Sequence, residues 1–167
     1  MVDDRERQRV IRVLAAVILI DVAYWVTWYA DRSLVASNTR SAYYEFENAF
    51  PLADGWLALC CVGALLALRR RSSIALMWLV LAAGGGFYLF GMDVLYDLEH
   101  GIWWSSGAGG VIELVINLIT AGVSGWFLRW TWLRRDTLLA TGRGSGTGAD
   151  REDAPLPGGV ATQVEKT

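Results

Sequence analysis

The chain has 167 residues, of which 54% are hydrophobic, and its formal net charge is −2. Because nucleic-acid binding needs a basic face, this weakly acidic composition excludes a nucleic-acid partner. The two cysteines, Cys60 and Cys61, are adjacent. They therefore predict small buried packing residues and exclude both a disulfide framework and a spaced metal motif.

Apolar runs of roughly 20 residues predict an all-α membrane protein, since this length crosses a hydrocarbon core. A charged cytoplasmic head, residues 1–12, comes before the first span. The predicted spans cover residues 13–30, 52–68, 74–96 and 111–132, within a transmembrane domain of residues 13–135. Residues 136–167 lack apolar periodicity and predict a disordered cytoplasmic tail.

The connection at residues 33–50 is too polar to cross the membrane and too aromatic for a free linker. It interleaves acids with aromatic rings, namely Tyr43, Tyr44, Glu45, Phe46, Glu47 and Phe50. Such a segment is expected to lie among lipid headgroups or to fold back over the helix ends. We interpret Glu45 and Glu47 as ordinary solvated acids of an outer loop.

The placement of arginine predicts the orientation of the chain. Arginines cluster before the first span, between the second and third, and at the end of the fourth. The other two connections contain only Arg32 and Arg40. The positive-inside rule therefore predicts a four-transmembrane-helix bundle with both termini in the cytoplasm, as a multi-pass protein of the cell membrane. Its first partner is then the lipid bilayer.

This orientation sends most acids to the outer half of the membrane. Asp93, Asp97 and His100 follow one another at i, i+4 and i+7, which places them on one helix face. With Glu113 from the fourth span, they predict a set of hard oxygen and imidazole ligands for a divalent cation such as Zn²⁺ or Mn²⁺. This divalent cation is the one cofactor that the sequence suggests. The alternative is that His100 is a plain salt-bridge partner of these acids.

Asp21 lies near mid-membrane and is the most costly residue to insert. A central carboxylate costs ~2.5–3.5 kcal/mol on insertion scales, so this side chain is expected to face the interior, protonated or solvated by a cavity. Tyr24, Trp25 and Trp28 share its helix face and are expected to offer it a hydrogen-bond donor. The alternative role is a hydrogen bond between helices that specifies packing.

Helix dipoles account for some of the other acids. Asp54 and Glu113 are expected in the first turns of their helices, where a carboxylate is favoured by ~0.3–1 kcal/mol. Asn117 follows Glu113 by one turn and needs a polar cavity or a partner across the bundle. The candidate ligand-binding residues that result are Asp21, Asp54, Asp93, Asp97, Glu113 and Asn117.

Three functional classes remain open. The first is an outward-facing acidic pocket that binds or helps to transport a cation or a cationic small molecule, for which four spans suggest a homodimer. The second is an accessory or scaffold subunit that docks a partner membrane subunit through its acidic face. The third is a lipid-modifying enzyme that uses paired carboxylates as acid and base.

The enzyme class has one resemblance behind it. The order of an acidic span, an aromatic and acidic loop and three further spans is similar in layout to the sterol-isomerase-like family of small membrane proteins. No motif residue matches, so no catalytic residue is assigned, and we rank a binding protein ahead of an enzyme.

Overall fold

A computed structural model describes residues 3–36, 39–104 and 108–143 of the chain. These residues are almost entirely helical, with no strand among them. The α-helices are α1 (Asp4–Asp31), α2 (Ser41–Glu47), α3 (Pro51–Arg69), α4 (Ala75–His100) and α5 (Ala108–Arg143). Two short 3-10 turns, Arg32–Leu34 and Ile102–Trp104, precede α2 and α5.

Four of these helices are long and apolar enough to cross a membrane, which is the number of spans that the sequence predicts. Large apolar side chains cover their outer surface, among them Leu19, Val26, Leu81, Leu95, Leu118 and Leu128. Water would oppose so much exposed apolar area, whereas lipid tails solvate it readily. The chain is therefore a multi-pass membrane protein by composition.

The end of the last helix differs from the prediction. The charged head is helical and continuous with the first span, because α1 begins at Asp4, with the Asp3 carboxylate accepting from Arg5 N. Helix α5 continues to Arg143, so residues 136–143 are helical where a disordered tail was predicted. Leu138 explains this extension, since it is buried against the apolar core. The remainder of the predicted tail, residues 144–167, lies outside the described residues.

The apolar core lies toward one end of the helices, which we call the arginine end. It is the end that holds the start of α1, the α3–α4 turn and the last part of α5. Val10, Leu14 and Leu79 are fully buried there, and Phe127 from α5 closes the cluster. Cys60 and Cys61 are free and buried, as predicted for packing residues.

Ion pairs fasten the arginine end. Arg134 in α5 donates to the Glu6 carboxylate in α1 at 2.8 and 3.0 Å. Arg71 in the α3–α4 turn donates to Asp4 at 3.2 Å. The Arg71–Asp4 pair is exposed and the Glu6–Arg134 pair is half-buried. Such pairs contribute little free energy by themselves, but these two join helix ends that are distant in sequence.

We call the opposite end the acidic end, and α2 lies over it. Tyr43 of α2 is buried, and its ring lies 6.5 Å from that of Trp28 in α1. Phe46 stacks on Tyr96 of α4 at 3.8 Å with an angle of 11° between the rings. The connection between the first two spans therefore folds back over the helix ends, one of the two placements expected for it.

Candidate functional site

A cavity of about 270 Å³ lies among the helices between the acidic end and the apolar core. We call it the acidic cavity, because five of its lining residues are carboxylic acids contributed by all five helices. These acids are Asp21, Glu47, Asp54, Asp93 and Glu113. Among the described residues, no Lys or Arg lines the cavity.

Four of the six predicted ligand-binding residues line this cavity, namely Asp21, Asp54, Asp93 and Glu113. The other two lie elsewhere and bind each other. Asn117 Nδ2 donates to Asp97 Oδ2 at 2.9 Å, and both side chains are buried between α4 and α5. The pair therefore acts as a polar contact between two helices and is not part of the cavity wall.

Neutral aromatic side chains donate hydrogen bonds to three of the cavity acids, Glu47, Asp54 and Glu113. The first two donors come from α1: Tyr24 Oη donates to Glu47 Oε2 at 2.8 Å, and Trp25 Nε1 donates to Asp54 Oδ2 at 3.0 Å. The prediction that these donors serve Asp21 is wrong. They reach across to α2 and α3 instead, because α2 brings Glu47 over the helix ends.

The third predicted donor also has another partner. Trp28 Nε1 donates to Asn48 Oδ1 at 3.1 Å, which fixes the end of α2 against α1. Trp28 is thus part of the scaffold under α2, and it makes no hydrogen bond to Asp21.

Glu113 is the most deeply buried acid of the cavity, with 9% of its surface exposed. Tyr43 Oη donates to its Oε1 at 3.0 Å. The expectation that Glu113 occupies a first helical turn is wrong, because α5 begins at Ala108. A hydrogen bond from α2 therefore stabilises this carboxylate, and the helix dipole contributes less than expected. Asp54 does lie in the first turn of α3, as predicted.

Asp21 and Asp93 differ from the other three acids. Among the described residues, no side chain donates a hydrogen bond to either carboxylate. An ionised carboxylate offers about four acceptor positions, whereas each neutral donor in the wall supplies one hydrogen. Among the described residues, the wall thus offers more acceptor positions than donors, and it contains no Lys or Arg side chain.

The predicted metal set of Asp93, Asp97, His100 and Glu113 does not come together. Among the described residues, no group of three or more His, Cys, Asp or Glu side chains is placed to hold a metal ion. His100 is exposed, and its ring stacks on Tyr96 at 4.1 Å. Nearly two turns separate it from Asp93, about 10 Å along the helix, and Asp97 faces Asn117.

The sequence interpretation missed two residues of the site, Tyr43 and Glu47. Glu47 was interpreted as a solvated acid, yet it lines the cavity, and Tyr43 was assigned no role beyond its loop, yet it is buried and donates to Glu113. Their i, i+4 spacing is the signal that could have identified them, because it places both on one face of a short helix.

Replacing Tyr43 by phenylalanine is expected to destabilise the protein by about 1–3 kcal/mol, because Glu113 would lose its donor while remaining buried. The measurement is the free energy of unfolding in mixed detergent and denaturant micelles. Tyr44→Phe is the matched control, since its ring packs on Trp28 and lies under Arg32. Equal effects of the two substitutions would contradict a specific role for the Tyr43 hydroxyl.

Comparison of the chain with protein-family models, with curated proteins and with solved structures gives no significant match.

Proposed function

We propose that this protein is a membrane-embedded binding protein whose acidic cavity accepts a positively charged small molecule. The observation that supports it best is the state of Asp21 and Asp93, two cavity carboxylates without a hydrogen-bond donor or a cationic partner among the described residues. Like charges in a site of low dielectric repel one another, and a bound cation relieves that repulsion.

The cation that suits this wall is organic. Apolar and aromatic side chains make up most of the lining, including Tyr24, Phe50 and Phe127. Aromatic rings beside carboxylates recognise ammonium groups through cation–π attraction together with charge pairing. A bare divalent ion would instead require several oxygen ligands converging at short distance, and the described residues offer no such group.

The orientation of the helix bundle in the membrane belongs to the same proposal. The clustering of arginine at one end supports a bundle in the cell membrane with that end and both termini in the cytoplasm. The acidic cavity would then lie in the outer half of the membrane, where it can meet cations from outside the cell.

The direct test is isothermal titration of the protein in phosphatidylcholine nanodiscs. The probes are hexyltrimethylammonium and tetramethylammonium, with 1-hexanol as a neutral comparison and empty nanodiscs as the blank for partitioning. At least one cation is expected to bind about tenfold or more tightly than 1-hexanol, a difference of about 1.4 kcal/mol. Binding of neither cation above the neutral compound would overturn the proposal.

A further inference from the structure

The acidic cavity has an open side between α1 and α5. Close packing joins α1 to α3, α3 to α4, and α4 to α5. The two outer members of this row, α1 and α5, have no comparable packing among the described residues. They are joined at the arginine end by the Glu6–Arg134 pair, and the cavity begins where they are no longer held together.

Isoleucines mark this opening on both helices. Ile20 of α1 and Ile116 and Ile119 of α5 line the cavity, yet 67%, 42% and 58% of their areas stay exposed. Side chains that line a cavity and keep this much exposed area stand at its mouth. The opening is therefore rimmed by apolar groups and faces the region that lipid tails occupy.

The depth of the opening supports the same conclusion. Ile20 and Ile119 lie about 16 Å along their helices from the acidic-end residues Asp31 and Ala108. This distance is about half the ~30 Å thickness of a hydrocarbon core. The rim is thus deep among the acyl chains and well below the headgroups.

The acidic end of the cavity is covered by contrast. Helix α2 lies over it, with Tyr43 and Phe50 buried and Phe46 stacked on Tyr96. The hydrogen bonds from Tyr24 to Glu47 and from Tyr43 to Glu113 fasten this cover to α1 and α5. A solute coming from the water must displace these contacts, whereas one coming from the bilayer passes the apolar rim of Ile20, Ile116 and Ile119.

We infer that the ligand is an amphiphilic organic cation that reaches the cavity from the bilayer, between α1 and α5. This inference rests on the proposed function and narrows its substrate class. The ammonium group pairs with Asp21 and Asp93 inside the cavity, and the apolar body lies along the isoleucine rim toward the lipid. Asp21 suits this arrangement because it directly follows the rim residue Ile20 and belongs to the cavity wall.

The test narrows the opening with one bulky side chain. Ile119→Trp is expected to weaken hexyltrimethylammonium binding by about tenfold or more in the nanodisc titration. Leu118→Trp is the matched control, because Leu118 is 62% exposed on the same helix and does not line the cavity. It is expected to change the affinity by less than about twofold. Ile116→Trp is a second rim variant, and the melting temperature of each variant verifies that it is folded.

The two ammonium probes separate this inference from the proposed function. Hexyltrimethylammonium is expected to bind about tenfold or more tightly than tetramethylammonium, which lacks an apolar body. Equal binding of the two cations, with no effect of the folded rim variants, would show that the cavity fills from water. That result would overturn the amphiphile inference and leave the proposed function standing. Binding of neither cation overturns both.

Discussion

The double substitution Asp21→Asn and Asp93→Asn is expected to weaken hexyltrimethylammonium binding by about thirtyfold or more. Removing the partner of a desolvated charge costs about 2–5 kcal/mol, and 1.4 kcal/mol is tenfold in affinity. These two acids are the best choice for neutralisation, because no described side chain donates a hydrogen bond to them. Their replacement therefore leaves no donor without its acceptor, and the measured loss reports on the ligand.

A matched control removes the same number of acidic groups from outside the cavity. Glu45 in α2 and Glu99 near the end of α4 are both exposed and do not line the cavity. The double substitution Glu45→Gln and Glu99→Gln is expected to leave the affinity within about twofold, as is usual for exposed sites. Similar losses in both double variants would mean that general surface charge, and not the cavity, attracts the cation.

Replacing Asn117 by leucine is expected to destabilise the protein by about 3 kcal/mol. Asp97 is 3% exposed and accepts a hydrogen bond from Asn117 Nδ2 at 2.9 Å. Loss of the Asn117 amide leaves the buried Asp97 carboxylate short of a donor, which costs more than the loss of an exposed contact. The measurement is the free energy of unfolding in mixed micelles, and ammonium binding by the folded fraction should persist because the pair lies outside the cavity wall.

The double variant Asp97→Leu with Asn117→Leu completes a mutant cycle. Replacing both partners of a buried hydrogen bond by apolar groups of similar size can be nearly neutral. We therefore expect the second substitution to recover much of the stability lost in the first, with a coupling of about 1–3 kcal/mol. Additive losses would show that Asp97 and Asn117 contribute independently.

Much of the helical architecture was predictable because apolar run length and bounding charge are local signals. Pro51 and the arginines at 69–71 bracket the second span, and α3 runs from Pro51 to Arg69. The extent of α5 was not predictable in this way. Its last turns include Leu138, which is buried in the same core cluster as Val10 and Leu14 of α1, residues far away in sequence.

The site was predictable in part for the same reason. Asp21 and Asp93 lie within strongly apolar runs, so the sequence alone marks them as residues that must face the interior. The role of Glu47 depends on the path of the chain after α1, because α2 has to fold back before Tyr24 can donate to it. The i, i+4 spacing predicts Asp97 beside Asp93 on one helix face. The Asp97 side chain instead accepts a hydrogen bond from Asn117 and does not line the cavity.

The ion pair between Glu6 and Arg134 brings the first and last described helices together at one end. A purification handle or fluorescent reporter fused to the amino terminus is therefore attached at the end farthest from Asp31 and α2. Such a fusion leaves the cover of the cavity unobstructed, so tagged protein is suitable for all the titrations above. Quenching of that reporter by a membrane-impermeant dye in intact cells would also reveal which side of the membrane the arginine end occupies.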